Sequence, residues 1–309
     1  MKHDDSLPDH LTSLLDDDEL SIFLFHGVIP RGARSVRNYT GKHLDREVFA
    51  RSIEAVSQAG QALSMDEVTW HCENKATFPP KSFAVTFDDG FENNVSVAAP
   101  VLADLQVPAT IYVTTDFVDR NRMSWIDRIE SAVETAPNQT FSAAWIKENF
   151  LLGDINSRIC FLESVRRFVK TTPSVNPDNF ADDICMQLGV DGSDHPDSEL
   201  DCKMSWEQVR RLAQSDMFKI GGHSHSHPIL SFLSAENLNH ELETCFTLLR
   251  EKAAVDVTHF SYPEGLQHCY SDEVIDALRN RGVRCCPTAI AGRNTVGHDP
   301  FHLRRYLVA

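Results

Sequence analysis

The stretch FAVTFDDG, residues 83–90, joins an apolar run to two adjacent aspartates and a glycine. The apolar run predicts a buried strand that ends at Phe87. Successive side chains of a strand point to opposite faces, so Asp88 and Asp89 cannot share a site within a regular strand. Gly90 permits a turn directly after them, which lets both carboxylates face the carboxyl end of the strand. Parallel α/β proteins build their sites at that end.

Two adjacent carboxylates repel each other, and two arrangements relieve this repulsion. A cation can lie between them, or one aspartate can bind a metal ion while the other stays available as a base. The alternative interpretation is an acidic turn that starts the next helix, with Asp89 or Asn93 as its N-cap residue. This stretch alone leaves both interpretations open.

Short apolar runs alternate with amphipathic stretches through most of the chain. We expect strands at residues 21–28, 83–87, 109–115, 218–224, 257–263 and 283–290. We expect helices at residues 44–60, 93–106, 205–214, 234–252 and 271–282. Ser205 and Gln208 have the spacing of a capping box at the start of the third helix. Repeated strand-then-helix units predict an α/β fold with a parallel sheet.

Residues 120–203 interrupt this alternation. They are longer than one crossover connection and include turn-rich polar segments such as TTPSVNPDN, residues 171–179. We expect them to form a mainly helical insertion within a single domain that spans residues 1–309.

The composition limits the classes of function. Apolar residues make up 42% of the 309 positions, which is ordinary for a globular protein, and the net charge of −16 argues against a nucleic-acid partner. No stretch approaches 18 apolar residues, so no transmembrane helix is expected. The first residues lack the apolar run of a secretory signal, and the eight cysteines show no CxxC spacing. We therefore expect a cytoplasmic protein with reduced thiols. The oligomeric state stays open.

The stretch KIGGHSHSHPILS, residues 219–231, contains His223, His225 and His227. All three lie on one side if the segment is extended, and His223 and His227 share a face if it is helical. Either way these two can converge on one ion. Two imidazoles and a carboxylate leave a fourth position for water, which is the open pattern of catalytic zinc. The alternative is a polar loop with incidental histidines.

The segments TFDDG (86–90) and HSHSHP (223–228), taken together, resemble the polysaccharide deacetylase family, also called carbohydrate esterase family four or the NodB homology domain. The similarity extends over residues 20–120 and 204–308. It implies a distorted (β/α)7 barrel and one divalent metal ion, for which the ligand types favour zinc.

The resemblance also implies roles for four of these residues. Asp88 corresponds to the general base of the family. Asp89, His223 and His227 correspond to its metal ligands.

The segment FSYPEG, residues 260–265, looks like a third family motif that shapes one wall of the groove. It departs from the commoner form, because Ser261 and Tyr262 stand where an arginine often does and Glu264 replaces an aromatic residue. The resemblance makes the backbone N–H of Glu264 the oxyanion donor and places Tyr262 near the substrate. The arginine that supports the base then has to come from elsewhere. LRRYLV, residues 303–308, supplies a candidate in Arg305, which we prefer to Arg304. The alternative is that both arginines lie on the surface.

Many family members carry the general acid on a histidine in a C-terminal motif, and RRYLVA (304–309) contains none. Some exopolysaccharide-associated members carry it on the first strand, in a motif like YHxV. LFHGV, residues 24–28, matches that motif and makes His26 the candidate acid. The alternative for His26 is a core histidine, in which case the weaker candidates are His225, His268 and His302.

MSWIDRIE, residues 123–130, resembles a segment near the groove of such members. Trp125 is therefore a candidate for stacking on a sugar ring. The alternative is a tryptophan in the core of a helix bundle.

The implied reaction is hydrolysis of an N-acetyl group on an amino sugar, in a glycan or a glycan precursor. Asp88 takes a proton as metal-activated water attacks the amide carbonyl, and His26 protonates the leaving nitrogen. We expect the nearby carboxylate to keep His26 protonated near neutral pH. The alternatives are a deformylase or amidohydrolase acting on a small or lipid-linked substrate, and a deacetylase-like binding module without activity. An intracellular precursor is favoured over a wall polymer as the substrate.

Overall fold

The structure is a computed structural model that describes residues 6–31, 35–146, 149–193 and 198–309. The chain divides into two compact units. The first comprises Met1–Gly32, Lys42–Arg120 and Lys203–Ala309, and the second comprises Ala33–Gly41 and Asn121–Cys202. A single domain with an insertion at about 120–203 stays a prediction, and residues 147–148 and 194–197 of that stretch lie outside the described residues.

The strands are short and follow one another in the order β1 (Ser21–Phe25), β2 (Gly27–Ile29), β3 (His43–Asp45), β4 (Gln61–Ala62), β5 (Ser82–Phe87), β6 (Ala109–Val113), β7 (Thr140–Phe141), β8 (Phe150–Leu151), β9 (Phe218–Gly222) and β10 (Tyr306–Leu307). The α-helices are α1 (Leu7–Ser13), α2 (Arg46–Ala59), α3 (Met65–Asn74), α4 (Ala99–Asp104), α5 (Thr115–Arg120), α6 (Trp125–Thr135), α7 (Ile155–Thr171), α8 (Pro177–Leu188), α9 (Trp206–Ala213), α10 (Ala235–Ala253) and α11 (Asp272–Arg279). A π-helical turn spans Asn94–Ala98 and a 3-10 turn spans Leu230–Phe232.

The main sheet of the first unit is parallel throughout and has the order β10-β1-β5-β6-β9, with β4 also paired to β5. Helices follow β5, β6 and β9, as the alternation of apolar and amphipathic stretches predicts. The central strands β1, β5 and β6 are buried along their whole length, as expected for a parallel sheet that is covered on both faces. Parallel pairing brings the carboxyl ends of β1, β5, β6 and β9 to one edge.

Single bridges and hydrogen bonds continue the sheet beyond β9 and back to β10. The links, in order, are Gly222 to Phe260, His259 to Cys285, Thr288 N–H to Leu303 O, and Arg305 N–H to Ile290 O. The described part of the first unit therefore forms a ring of seven chain segments, which is the distorted barrel that the family resemblance implies. The expected strands at 257–263 and 283–290 are present only as isolated bridges. Pro263 and Pro287 lack the N–H that a longer ladder needs.

Two other predicted elements are interrupted. The expected strand at 21–28 ends at Phe25, and after His26 the chain leaves the main sheet, so that β2 pairs with β3. The expected helix at 93–106 begins as the π-helical turn and becomes α-helical only at Ala99. Pro100 explains the change, because proline fits the first turn of an α-helix but not its interior.

The second unit has its own core. Helices α6, α7 and α8 pack together beside the antiparallel pair β7–β8. An aromatic cluster joins this core to partly buried rings packed against it. Its ring centroids lie between 4.7 and 6.5 Å apart, and it consists of Phe141, Trp145, Phe161, Phe168 and Phe180.

Within the described residues, the predicted capping box at Ser205 and Gln208 is confirmed. No described helix combines the length and the apolar character needed to cross a bilayer.

Candidate active site

The two aspartates lie at the carboxyl end of β5, where the backbone turns sharply. The amide of Asp88 still donates to Phe25 O at 3.0 Å, which extends the ladder by one residue. Asp89 then takes a left-handed φ of 76°, and Gly90 follows with a φ of 81°. Aspartate tolerates this region better than most residues, and glycine does so without strain. The turn brings both carboxylates to the same side, where they are buried.

Arg305 holds Asp88 with both arms of its guanidinium group. Nη1 donates to Asp88 Oδ1 at 2.9 Å, and Nη2 donates to Oδ2 at 2.8 Å. The remaining donors reach Ser261 Oγ at 2.8 Å, Thr86 Oγ1 at 3.2 Å and Thr288 O at 2.6 Å. Arg305 is 0% exposed, so this cation is fully satisfied inside the protein.

The arginine fork determines the charge state of Asp88. Burial raises the pKa of this carboxyl group, but Arg305 and His223 outweigh it and lower the pKa below the ordinary value. Burial likewise opposes the charge of Arg305, and Asp88 outweighs that effect, so the pKa of the guanidinium is raised. The pair is therefore ionised at neutral pH.

Arg305 reaches this position because it lies directly before β10, which pairs with β1. Neighbouring residues of extended chain point to opposite sides, so Arg304 is exposed while Arg305 points inward. Ser261 occupies the position where the family resemblance would place an arginine. Its hydroxyl donates to Asp88 Oδ2 at 3.2 Å, and the hydroxyl oxygen of Ser261 accepts a hydrogen bond from Arg305.

Asp89, His223 and His227 form a group whose ligand atoms all lie within 4.8 Å of one another. The Oδ1 atom of Asp89 lies 3.6 Å from His223 Nε2 and 3.4 Å from His227 Nε2. Burial lowers the pKa of His223 to about 4, so its imidazole is neutral at pH 7. Its Nδ1 lies 2.8 Å from the carbonyl oxygen of Ser261, and a carbonyl only accepts. The proton is therefore on Nδ1, and the Nε2 lone pair faces Asp89.

The histidines are presented by an irregular loop that follows β9. Ser224 and His227 both have left-handed φ values, of 62° and 64°. The amide of His227 donates to Ser224 Oγ at 2.9 Å, which closes the turn. The His227 ring lies nearly parallel to the Phe117 ring, with centroids 6.0 Å apart. His225 is not one of the three residues of this group, and its Nδ1 contacts Thr115 Oγ1 at 3.0 Å.

His26 lies between β1 and β2, at the same end of the sheet as Asp88 and Asp89. Its carbonyl oxygen accepts a hydrogen bond from Asn94 Nδ2 at 2.7 Å, and its buried Nδ1 has no hydrogen-bond partner among the described residues. Burial lowers the pKa of His26, and the opposing effects of Asp89 and Asp88 are smaller. The expectation that nearby carboxylates keep this imidazole protonated near neutral pH is therefore wrong.

Two candidate substrate contacts are also corrected. The side chain of Tyr262 is 0% exposed, its hydroxyl donates to Phe301 O at 3.1 Å, and its ring stacks on Tyr270. Trp125 is only 8% exposed and belongs to the hydrophobic core of the second unit. Neither ring offers a face to a sugar, because both aromatic surfaces are already covered by protein.

Glu264 lies on a tight turn, with left-handed φ values of 61° at Glu264 and 59° at Gly265. A side chain at Gly265 would approach the Ala289 backbone to 2.5 Å, so the turn requires glycine there. The role of the Glu264 amide as oxyanion donor stays a prediction. Of the weaker acid candidates, His302 lies beside Asp299 and His268 beside Phe232.

Sequence reasoning missed Thr86 as a support of the Arg305 side chain, and it noted Ser261 only as a departure from the family motif. Residues two apart in a strand share a face, so the alternation already places Thr86 on the side of Asp88. That signal could have found Thr86. No local signal could have found the Ser261 contact, because Ser261 comes from a segment more than 170 residues later in the chain.

Residues 75–286 match the family model described as polysaccharide deacetylase. A search of curated proteins found no match.

Several solved structures share the fold across nearly their whole length. They include the deacetylase PplD of Streptococcus pyogenes in complex with acetate, with 14% identity, a TM-score of 0.60 and coverage of 94% of this chain and 93% of that one. IcaB from Ammonifex degensii has 18% identity, a TM-score of 0.60 and coverage of 96% and 94%. The BpsB deacetylase domain from Bordetella bronchiseptica has 16% identity, a TM-score of 0.56 and coverage of 95% and 97%. At these identities the likeness establishes the fold.

Proposed function

Because the chain belongs to the polysaccharide deacetylase family, we propose that it is a metal-dependent hydrolase that removes the acetyl group from an N-acetylated amino sugar. The products are acetate and a free amine. The observation that carries the proposal is that two adjacent aspartates have different partners. Asp88 is held ionised by Arg305, while the adjacent Asp89 faces two imidazole nitrogens.

The residues present fit a divalent metal ion. Asp89, His223 and His227 offer one oxygen and two nitrogen atoms, a set that zinc accepts with a position left open. The tautomer of His223 directs a lone pair toward this group. Burial raises the pKa of Asp89, but the three histidines nearby, led by His227, outweigh it, so the pKa is lowered and the carboxylate is ionised. A bound divalent ion supplies Lewis acidity, which makes water more acidic and polarises a carbonyl oxygen.

Asp88 is the proposed general base. It is buried beside the metal-binding group and fixed in orientation by the Arg305 fork, so it can accept a proton from attacking water without first reorganising. Its lowered pKa makes it a weak base, which is sufficient when the water itself has been made more acidic. Arg305 is a positioning residue, because it contacts the base and is fully buried.

His26 is the proposed general acid. An amide nitrogen leaves poorly as an anion, so the reaction needs a proton donor near the aspartates. Burial lowers the pKa of His26, which makes its protonated form a stronger acid. The proton released at Asp88 is the proposed source for His26. The amide of Glu264, which lies on a turn with left-handed φ values, is the proposed donor to the developing oxyanion, as the family resemblance implies.

The test is acetate release. The purified protein is stripped of metal with a chelator and assayed with and without added zinc. The substrates are acetylated nucleotide sugars, amino-sugar oligosaccharides and polymers, and formate is measured in parallel on formylated analogues. We expect zinc-dependent acetate release on at least one acetylated amino sugar. Formate without acetate would favour the deformylase alternative. Neither product on any substrate would contradict the proposal.

A further inference from the structure

The loop that carries the two histidines has no regular secondary structure around Ser224, His225 and Ser226. Buried backbone groups still need hydrogen-bond partners. The carbonyl groups of this loop find theirs at the start of α5. Thr115 N–H donates to Ser224 O at 3.2 Å, and Asp116 N–H donates to His225 O at 2.9 Å. One side of the loop is therefore held by the backbone of α5.

The N–H groups of the same loop are held by one side chain, that of Glu241 on α10. Its Oε2 accepts from His225 N at 3.0 Å and from Ser226 N at 2.9 Å, and its Oε1 accepts from Ser226 Oγ at 2.5 Å. Glu241 is only 9% exposed, so water cannot readily replace its carboxylate as the acceptor for these three donors. An ionised carboxylate only accepts hydrogen bonds, which suits three donors that converge on it.

These contacts bear on the two imidazoles unequally. The His223 ring is fixed directly through Ser261 O. His227 depends more on its backbone, which holds a left-handed φ and one bond to Ser224 Oγ. The residues that set the separation between the two histidines are those that Glu241 binds. A loop released from Glu241 can relax out of its left-handed turns, since such conformations persist only where surrounding contacts impose them.

We propose that Glu241 is a positioning residue that holds the histidine loop in its metal-binding geometry. The proposal rests on the proposed function, in which His223 and His227 bind a metal ion. It assigns to α10, a helix that contributes no ligand, control over the affinity of the metal site.

The test compares three variants with the wild type. Glu241→Met keeps the length and apolar stem of the side chain but removes every acceptor. Glu241→Gln keeps one acceptor oxygen for the two amides, and its amino group can donate to Ser226 Oγ. Glu243→Met is the matched control, because Glu243 is on the same helix with its side chain 70% exposed. Zinc dissociation constants are measured on metal-free protein by competition with a chelating dye, without any substrate.

We expect Glu241→Met to weaken zinc binding about 10- to 100-fold, the range for residues that orient metal ligands from outside the coordination shell. Glu241→Gln should weaken it less than Glu241→Met, and Glu243→Met should leave it unchanged. Wild-type affinity in Glu241→Met would overturn the proposal. So would equal losses in the Gln and Met variants, because the hydrogen bonds would then not be the cause.

Amide hydrogen exchange in the metal-free wild type gives a measurement that does not depend on any variant folding. The amides of His225 and Ser226 should be protected, and exchange at the rate of an unstructured peptide would overturn the proposal. The wild-type zinc titration and acetate assay test the proposed function separately. A wild type that fails them while its loop amides are protected contradicts the function and leaves the role of Glu241 in the loop supported.

Discussion

The candidate site has two halves that begin at neighbouring residues and are built in opposite ways. In the half around Asp88, the carboxylate faces a guanidinium group, and every donor of Arg305 has a partner within the protein. In the half around Asp89, the carboxylate faces the nitrogen atoms of His223 and His227. In the first half the positive charge is the guanidinium group of Arg305, whereas the second half offers ligand atoms to a metal ion.

One turn can therefore give two adjacent aspartates separate roles. Repulsion between adjacent carboxylates is relieved twice, once by a fixed arginine and once by a group suited to a metal ion. The left-handed residues at Asp89 and Gly90 make the separation possible, because the chain turns directly after Asp88, so that Asp88 meets the arginine and Asp89 meets the two imidazoles. Variants in each half test whether the two halves act independently.

The largest expected effect concerns His26, which interacts electrostatically with both halves. His26→Ala should retain zinc and fold normally while amide hydrolysis falls by roughly 10²–10⁴. An activated ester should suffer much less, because its leaving group needs no proton. Rates on both substrates are measured beside His302→Ala, whose imidazole is half-exposed next to Asp299. Equal small losses on amide and ester would make His26 purely structural.

The next effect is on stability and concerns the arginine. Arg305→Met should lower the free energy of unfolding by about 3–5 kcal/mol, because it leaves the buried charge of Asp88 without a partner. Arg304→Met is the control, since an exposed residue should change stability by no more than about 0.5 kcal/mol. Urea denaturation at pH 7 measures both. The double variant Arg305→Met with Asp88→Asn should recover part of the loss, and an Arg305→Met as stable as the control would disprove the pairing.

The smallest effect is the pH dependence of the metal-free protein. Burial lowers the pKa of His223 from 6.5 to about 4, so the unfolded chain takes up this proton first as the pH falls. The contribution of neutral His223 is fully present above pH 6.5 and is lost as the pH falls toward 4, by up to about 3 kcal/mol. Stability curves of wild type and His223→Asn, measured with a chelator present, should diverge over this range. Parallel curves would contradict the assigned environment of His223.

Local sequence was enough to predict the elements that position the site. The apolar run before Asp88 predicts β5, and the capping pattern at Ser205 predicts the start of α9. The alternation of strands and helices predicts the parallel sheet that brings β5 and β9 to one edge. These features depend on neighbours within a few residues or on a repeat along the chain, so the sequence contains their physical causes.

The features that sequence reasoning missed depend on distant contacts. Whether Tyr262 faces a groove or the core depends on Phe301 and Tyr270. The pKa of His26 depends on how deeply the imidazole is buried, because burial lowers this pKa more than the neighbouring Asp88 and Asp89 raise it. The hydrogen bonds of Glu241 join the histidine loop to α10, and Glu241 follows Ser226 by 15 residues in the chain.

Asp88→Asn and Asp89→Asn separate the two roles when zinc content after dialysis and acetate release are measured on the same samples. Asp88→Asn should retain one zinc ion per chain and lose turnover by roughly 10²-fold or more, since the base is gone and the ligands remain. Asp89→Asn should lose zinc and activity together. Loss of zinc from Asp88→Asn, or normal turnover in it, would contradict the division of roles between the two aspartates.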